Sequence, residues 1–478
     1  MENCPLLSNA PKHRGLDVFR GVFFESQVTN NSRLRKVYLM IEVGRDIISM
    51  RDRFGVPWSK FAFLFRHGDT STLMHSMTSS IINCDQRTTT RLLNGPVNRR
   101  DARILRDNRF IVTDTGDKRV LDKARAKVER CLQKVDITTL FLIVTDTCNL
   151  RCTYCYENLE AHSKRRTINY EDIVRAVDYF LEIASAKEPK IFFYGGEPML
   201  AWRNVRRCIE YVRSRYGQNV SMQVTTNGTI KTDELFEVCR QYNVGVAVSI
   251  DGPAAITNIT RPGKGVGLNV FESAVGLLRK LREAKIDYAA LCTIPRFSAE
   301  HLDEIVNFFI AEDVRNLTFN LELKQAGVAT VEDREYWDQL GSKVASAYHR
   351  LLEHGIVESR TWRYIAGLTD STFTISECDA GYGSQIVVNP DGRIGPCQGF
   401  LSRDDYWCPM ESGRDVRSLP LWQMFTEAST INMRECLECP VVGTCGGGCH
   451  YNRPTIDHPN QNFCQYMRSL VFHVIQHQ

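Results

Sequence analysis

No apolar run in the 478-residue chain approaches the roughly 20 residues a membrane-crossing helix needs, so no hydrocarbon-spanning segment is expected. The opening MENCPLLSNAPKHRG lacks the basic-then-apolar layout of a secretory signal. Charge of one sign is also lacking: 60 Lys plus Arg stand against 56 Asp plus Glu, a net charge of +4. Domains whose main partner is nucleic acid normally stand far from neutrality, so neither nucleic acid nor membrane is expected as a partner. Internal repeats and low-complexity tracts are absent too. What is abundant is cysteine, 17 in all and an odd number. Disulfide dependence belongs to small domains with poor cores, whereas this chain is long enough for two to four domains of about 100–200 residues each. Reduced, metal-binding thiols in a cytoplasm are the expected state.

Six cysteines (Cys4, Cys84, Cys131, Cys208, Cys239, Cys292) are scattered singly and read as small buried hydrophobes. The rest fall into two groups: Cys148, Cys152 and Cys155 in CNLRCTYC, and Cys378, Cys397, Cys408, Cys436, Cys439, Cys445, Cys449 and Cys464 towards the end.

Periodicity divides the chain. The first 60 residues give weak signals, and 35–50 reads equally as helix or strand. Over 60–115, FAFLFR, STLMHS and SIINC read as strands. A helix capped by Asp85 ends before Gly95-Pro96, and a second helix follows over 98–107. An amphipathic helix from Asp117 to Lys134 completes a region (1–135) in which 87–134 carries 14 Lys or Arg against 6 Asp or Glu. That excess reads as a solvated helical face or as a mildly basic groove for an acidic peptide. From 136 to 330, six apolar strands alternate with helices at about 170–187, 200–215, 232–242, 270–284 and 299–312. That alternation implies right-handed crossovers and a parallel sheet. Six units are too few to close an eight-stranded barrel, so the fold class is α/β with a partial (β/α)6 TIM-like barrel. A helical linker (331–375) leads to a cysteine-rich tail (376–478) with little periodicity, in which QIVVNPDGRIGPC has strand–turn character with Asn389–Gly392 as a hairpin turn.

Cys148, Cys152 and Cys155 follow the first barrel strand, where ligands bind in parallel α/β proteins. Three thiolates can hold three irons of a four-iron cluster and leave the fourth open, whereas three cysteines without a nearby His make a poor closed zinc site. This triplet, with an aromatic (Tyr154) before its third cysteine, resembles the signature of the radical S-adenosylmethionine (SAM) enzymes. The likeness continues through Gly195, Gly196 and Glu197, which resemble the segment that holds the SAM amino group. Glycines permit close backbone approach, and a carboxylate can accept from an ammonium. Asn227, Ser249 and Asp251 match positions that bind the SAM ribose and carboxylate, and Arg261 is a further candidate for the carboxylate. The resemblance implies reductive cleavage of SAM to a 5′-deoxyadenosyl radical that takes a substrate hydrogen.

The tail is similar to the SPASM domain, which carries two auxiliary four-iron clusters. Carried over, one cluster takes Cys436, Cys439, Cys445 and Cys464, and the other takes Cys378, Cys397 and Cys449. Either Cys408 completes the latter or one iron stays open. A pair of zinc sites would use the same residues. The sulfatase-maturing branch places an Asp directly after the cysteine matching Cys397, and this chain has Gln398.

The 60–115 unit resembles the winged-helix-like α+β domain that recognises precursor leaders by strand addition. The resemblance as a whole implies three [4Fe–4S] clusters and SAM. It also implies a precursor peptide with a leader, or a small protein, as substrate, and an electron donor such as flavodoxin or ferredoxin. The expected product is a crosslink: a thioether, or a C–C or C–O bond. The alternatives are a maturase of a larger subunit, of amine dehydrogenase or sulfatase type, and an iron–sulfur redox protein that makes no radical.

Overall fold

The computed structural model describes residues 47–476 apart from 52–55, 113, 134–135, 158–165, 185, 266, 323–330 and 370–372. The ambiguous stretch 35–50 lies outside these residues up to position 46, and Ile47–Ser49 forms strand β1.

Strands β2 (Ala62–His67), β3 (Thr70–His75) and β4 (Ser80–Cys84) continue an antiparallel sheet in the order β1-β2-β3-β4. His67 pairs with Thr70 across a tight turn, where Gly68 takes the left-handed conformation (φ 62°). Asp85 caps α1 (Gln86–Asn94) by accepting from Thr88 N, and Asn98 caps α2 (Arg99–Asp107) by accepting from Asp101 N. Period-two alternation gives this sheet two apolar faces. Ala62, Leu64 and Leu73 pack with Leu92 of α1, Leu105 of α2 and Phe110. Phe61, Phe63, Phe65 and Met74 turn the other way, into the main core with Val120 and Val128 of α3 (Asp114–Gln133). A buried relay ties the sheet to α3. The Ser59 hydroxyl donates to Asp117 Oδ1 (2.6 Å) and meets His75 Nε2 (3.2 Å), and Met77 N donates to His75 Nδ1. Burial pushes His75 down to about 4, against the opposing pull of Asp117.

The barrel comprises β5 (Thr139–Thr145), α4 (Tyr170–Ile183), β6 (Lys190–Gly195), α5 (Trp202–Tyr216), β7 (Ser221–Thr226), α6 (Glu234–Tyr242) and β8 (Val244–Ser249). It continues through α7 (Ala254–Thr260), α8 (Val270–Glu283), β9 (Tyr288–Ile294), α9 (Leu302–Ala311) and β10 (Asn316–Leu321). The six strands are parallel neighbours, so their carboxyl ends open on one side. The fold is the α/β partial barrel that the alternation implies.

The carboxyl-terminal third is more regular than its sequence suggests. After α10 (Val331–Glu353), β11 (Val357–Glu358) adds in parallel to β10, and α11 (Ser359–Thr369) follows. At the opposite end of the sheet, β12 (Gln385–Val388) adds in parallel to β5, and β13 (Ile394–Gly395) pairs antiparallel with β12. The result is a nine-stranded sheet, in which the six barrel strands are extended at both ends. Between β12 and β13 the Asn389–Gly392 turn is closed by Gly392 N donating to Asn389 O, with Gly392 at φ 71°. Arg166 clamps this turn to the end of β5 by pairing with both Asp391 and Asp146. The last helix, α12 (Gln461–Gln476), lies along α10: Ser469 Oγ donates to Asp338 O (2.6 Å), and a Cβ on Gly341 would stand 2.5 Å from Tyr466 O. Phe472 of α12 stacks on Phe65 of the amino-terminal sheet, with centroids 6.2 Å apart. Among the described residues no helix is long and apolar enough to cross a membrane.

Candidate functional site

One cavity of about 500 Å³ opens at the carboxyl ends of the barrel strands. Cys148, Cys152 and Cys155 line it together with Gly195, Gly196, Glu197, Asn227, Ser249 and Arg261. Cys378, Cys397 and Cys449 line it as well. Their approach is a consequence of β12 pairing with β5, because β12 lies between Cys378 and Cys397 in sequence.

The Cys148–Cys155 loop is held by its neighbours. A Cβ on Gly195 would stand 2.3 Å from Thr145 O, and one on Gly196 would stand 2.2 Å from Thr147 O and 3.0 Å from Cys148 N. The glycines therefore serve an approach between two loops of the protein itself. Glu197 is likewise engaged by the protein's own donors. Its Oε1 accepts from Met199 N (3.0 Å) and Thr226 Oγ1 (2.8 Å), and its Oε2 accepts from Asn227 N (2.7 Å). Three protein donors engage this carboxylate, which braces the ends of β6 and β7. Burial raises it to about 7 against those hydrogen bonds. Asn227 Nδ2 donates to Asn149 Oδ1 (2.9 Å), which steadies the residue after Cys148.

Asp251 is fully buried and is not among the cavity-lining residues. Its Oδ2 accepts from Tyr154 OH (2.6 Å) and Thr260 Oγ1 (2.6 Å), and Arg261 Nε stands 3.0 Å away at ion-pair distance. Its Oδ1 accepts from Thr293 N (3.0 Å). Asp251 thus ties Tyr154 and Arg261 together beneath the cavity and does not line it. Arg261 lies 5.4 Å from the centroid of the Tyr154 ring and within electrostatic range of Cys152.

The carboxyl-terminal cysteines separate into two sets. Cys378, Cys397 and Cys449 are mutual electrostatic neighbours, and so are Cys436, Cys439, Cys445 and Cys464. The sets are joined by Cys445-Gly446-Gly447-Gly448-Cys449, whose three glycines all have positive φ (65°, 78° and 74°). Buried Arg453 holds this loop by donating to Gly447 O and Gly448 O (both 3.2 Å) and to Ala428 O (2.8 Å). Cys408 stands apart from both sets. Its thiol donates to Ile394 O (3.5 Å), its charged neighbours are Arg414, Glu411 and Arg393, and it does not line the cavity.

The donor sets fit iron–sulfur clusters. Backbone amides donate to Cys148, Cys397 and Cys445 Sγ from Leu150, Gly399 and Gly447, at 3.4, 3.4 and 3.3 Å. Such donors favour a negatively charged sulfur. Burial otherwise pushes Cys148 and Cys378 up to about 12, so each needs a cation to hold it as thiolate. Among the described residues no three His, Cys, Asp or Glu side chains close to the spacing of a single metal ion.

Between the two cavity-facing cysteine sets lie residues that sequence reasoning missed. Tyr156 and Tyr194 meet at 2.9 Å, and Tyr451 OH donates to Tyr156 O (3.3 Å). Gln398 Oε1 accepts from Gln385 Nε2 (3.1 Å), which fixes an amide beside Cys397. Arg360 and Glu377 complete a polar wall. Tyr156 follows Cys155 directly and was within reach of sequence reasoning, but Arg360 has no local signal at all.

Residues 142–309 match the model of the radical SAM superfamily. The chain is 23% identical over 350 residues to the radical SAM cyclopropyl synthase TigE of Paramaledivibacter caminithermalis, covering 68% of this chain and 70% of that protein. It is 24% identical over 347 residues to the cysteine-type anaerobic sulfatase-maturating enzyme of Clostridium perfringens, covering 67% and 91%. Among solved structures, native anSMEcpe with bound AdoMet superposes with a TM-score of 0.61 at 20% identity, over 71% of this chain and 97% of that one. Streptococcus suis SuiB bound to S-adenosylmethionine gives 0.51 at 16% identity, over 85% and 99%. These superpositions establish a shared fold. Together with the cysteine triplet at the mouth of the parallel strands, the matches show that residues 142–309 are a radical SAM domain and that the chain is an enzyme.

Proposed function

We propose that this enzyme is a maturase that crosslinks a ribosomally made peptide or small protein by hydrogen abstraction. The observation that carries the reading is the single cavity lined by two separate three-cysteine sets. Cys148, Cys152 and Cys155 would hold the SAM cluster, and Gly195, Gly196, Glu197, Asn227, Ser249 and Arg261 would surround SAM. Cys378, Cys397 and Cys449 would hold the first auxiliary cluster, and Cys436, Cys439, Cys445 and Cys464 the second. When bound, the SAM cluster and SAM supply a 5′-deoxyadenosyl radical that takes a hydrogen atom from the substrate. The chain's own share is positioning and exclusion of water: the glycine contacts fix the Cys148 loop, and Tyr156, Tyr194 and Tyr451 wall the space between the two sets.

The placement of Cys408 favours three protein ligands at the first auxiliary cluster, with one iron open towards the cavity. Gln398 gives no acid where the sulfatase-maturing branch has one, which weighs against oxidation of a sulfatase residue by that base. The outer edge of β4 has no partner strand among the described residues, and it suits addition of a leader peptide as a further strand. A flavodoxin or ferredoxin would supply electrons.

The test is anaerobic incubation of the reconstituted enzyme with dithionite and SAM. The expected results are 5′-deoxyadenosine in the wild type, none in Cys148→Ala, and about twelve irons per chain in the wild type. No 5′-deoxyadenosine from a fully iron-loaded wild type, with or without candidate peptides, would leave the redox-protein reading in its place.

A further inference from the structure

Five polar atoms of cavity-lining residues are buried without a hydrogen-bond partner among the described residues: Arg261 Nε, which is ion-paired with Asp251, and Glu157 Oε1, Arg360 Nε, Glu377 Oε2 and Asn452 Oδ1. Leaving a buried polar atom unpartnered is unfavourable, so the last four point to an occupant that completes them.

Arg360 and Glu377 are also rigidly held. Arg360 Nη1 donates to Glu377 Oε1 (2.6 Å), and its Nη2 donates to Asn320 Oδ1 (2.8 Å) at the end of β10. Arg363 Nη2 (2.8 Å) and Tyr364 OH (2.7 Å) converge on the same Glu377 Oε1. Three donors thus crowd one carboxylate oxygen while the other has none. Both terminal nitrogens of the guanidinium are engaged, which fixes the direction of the remaining Nε–H. The backbone beneath is equally determined. Fully buried Glu358 accepts from Arg360 N (3.0 Å), Thr361 N (2.8 Å) and Phe319 N (2.9 Å), and so ties the start of α11 to β10. Glu377 is 3% exposed.

We propose that Arg360 and Glu377 are specificity-determining residues that hold the substrate by its amide groups, an amide carbonyl accepting from Arg360 Nε–H and an amide N–H donating to Glu377 Oε2. The pair is internally neutralised, so it disfavours a carboxylate, which meets Glu377, and an ammonium, which meets Arg360. Neutral amide satisfies both. The occupant is then an uncharged peptide segment whose backbone or carboxamide side chains reach this wall. The inference rests on reading the cavity as a peptide-modifying site.

The test uses the reconstituted, dithionite-reduced full chain and two small probes, N-acetylglycine N-methylamide and N-acetylglycine methyl ester. Proton line broadening by the paramagnetic clusters reports binding of each. Loss of one hydrogen bond, about 1 kcal/mol, should weaken binding about five-fold. The ester, which lacks the second N–H, and the Arg360→Lys variant, which lacks the Nε–H, should each show that loss relative to amide and wild type. Glu377→Gln should weaken the amide alone, and iron content identifies a preparation damaged at neighbouring Cys378. If that variant loses iron, Arg360→Lys and the probe pair decide. Equal broadening by amide and ester, or by wild type and Arg360→Lys, overturns the proposal. The same wild-type samples are assayed for 5′-deoxyadenosine: its absence defeats the maturase reading, and its presence without amide discrimination defeats only the amide wall.

Discussion

The two cysteine sets of the carboxyl-terminal tail share a loop and differ in everything that faces them. Cys378, Cys397 and Cys449 number three and look into the cavity beside Gln398 and Tyr451. The other set numbers four, and Cys436, Cys439 and Cys445 are buried away from the cavity. Four thiolates complete a four-iron cluster, and three leave an iron to react or to bind. On the proposed assignment of clusters, ligand number and exposure within one glycine-linked loop would divide holding the fold from doing chemistry.

The largest expected effect breaks the closed set. Cys439→Ala should cost several kcal/mol, since structural metal binding is itself folding energy of roughly 10 kcal/mol or more in small domains. A drop in melting temperature of roughly 10 °C or more is the expected reading. A variant with unchanged melting and iron content would remove the structural role. Next, Cys397→Ala should leave the tail folded and SAM cleavage within about three-fold of wild type, while precursor modification falls at least about 100-fold, because positioning is lost and radical generation is not. Equal loss of both activities would erase the division.

Acid should reach the closed side first, through the amino-terminal sheet that stacks on α12, the helix carrying Cys464. His75, buried among Ser59, Asp117, Arg109 and Phe61, is pushed down to about 4 from 6.5. A depressed His leaves the unfolded state binding more protons between those values. Its contribution is therefore complete above pH 6.5 and is lost as pH falls towards 4, at most about 3 kcal/mol. Hydrogen-exchange protection factors over β2 and β3 should fall across that window in the wild type and less steeply in His75→Gln; parallel profiles would exclude His75 as the cause. The smallest effect belongs to Cys408→Ala, which should leave iron content and cluster spectra unchanged. A lost or altered signal would return Cys408 to the first set and close its iron.

Much of this arrangement was legible in the sequence, because spacing and periodicity are local. Apolar runs alternating with helices gave six barrel strands, and turn and cap residues such as Asp85 and Asn98 marked the first two helices. The strand–turn character of QIVVNPDGRIGPC was legible too, and β12 and β13 form that hairpin. The failures were non-local. That β12 joins β5 in parallel has no signal in either segment. α12, QNFCQYMRSLVFHVIQ, has apolar residues over much of its circumference, since it packs against both α10 and the amino-terminal sheet, and its amphipathic period is blurred. The burial of Asp251 was not legible either, because sequence cannot show that three protein hydrogen-bond donors and an ion pair meet its carboxylate.

The sequence by itself determined the chemistry available: which cysteines are spaced for clusters and which strand precedes them. Only the tertiary structure decided the company those residues keep. Thr138 N donates to Ser384 O across 246 positions, and that pairing of β5 with β12 brings the second three-cysteine set to the cavity of the first. Ligand spacing is written within one turn of chain, whereas the occupancy of a carboxylate, the isolation of Cys408 and the unpartnered atoms of Arg360 and Glu377 depend on neighbours that folding alone supplies.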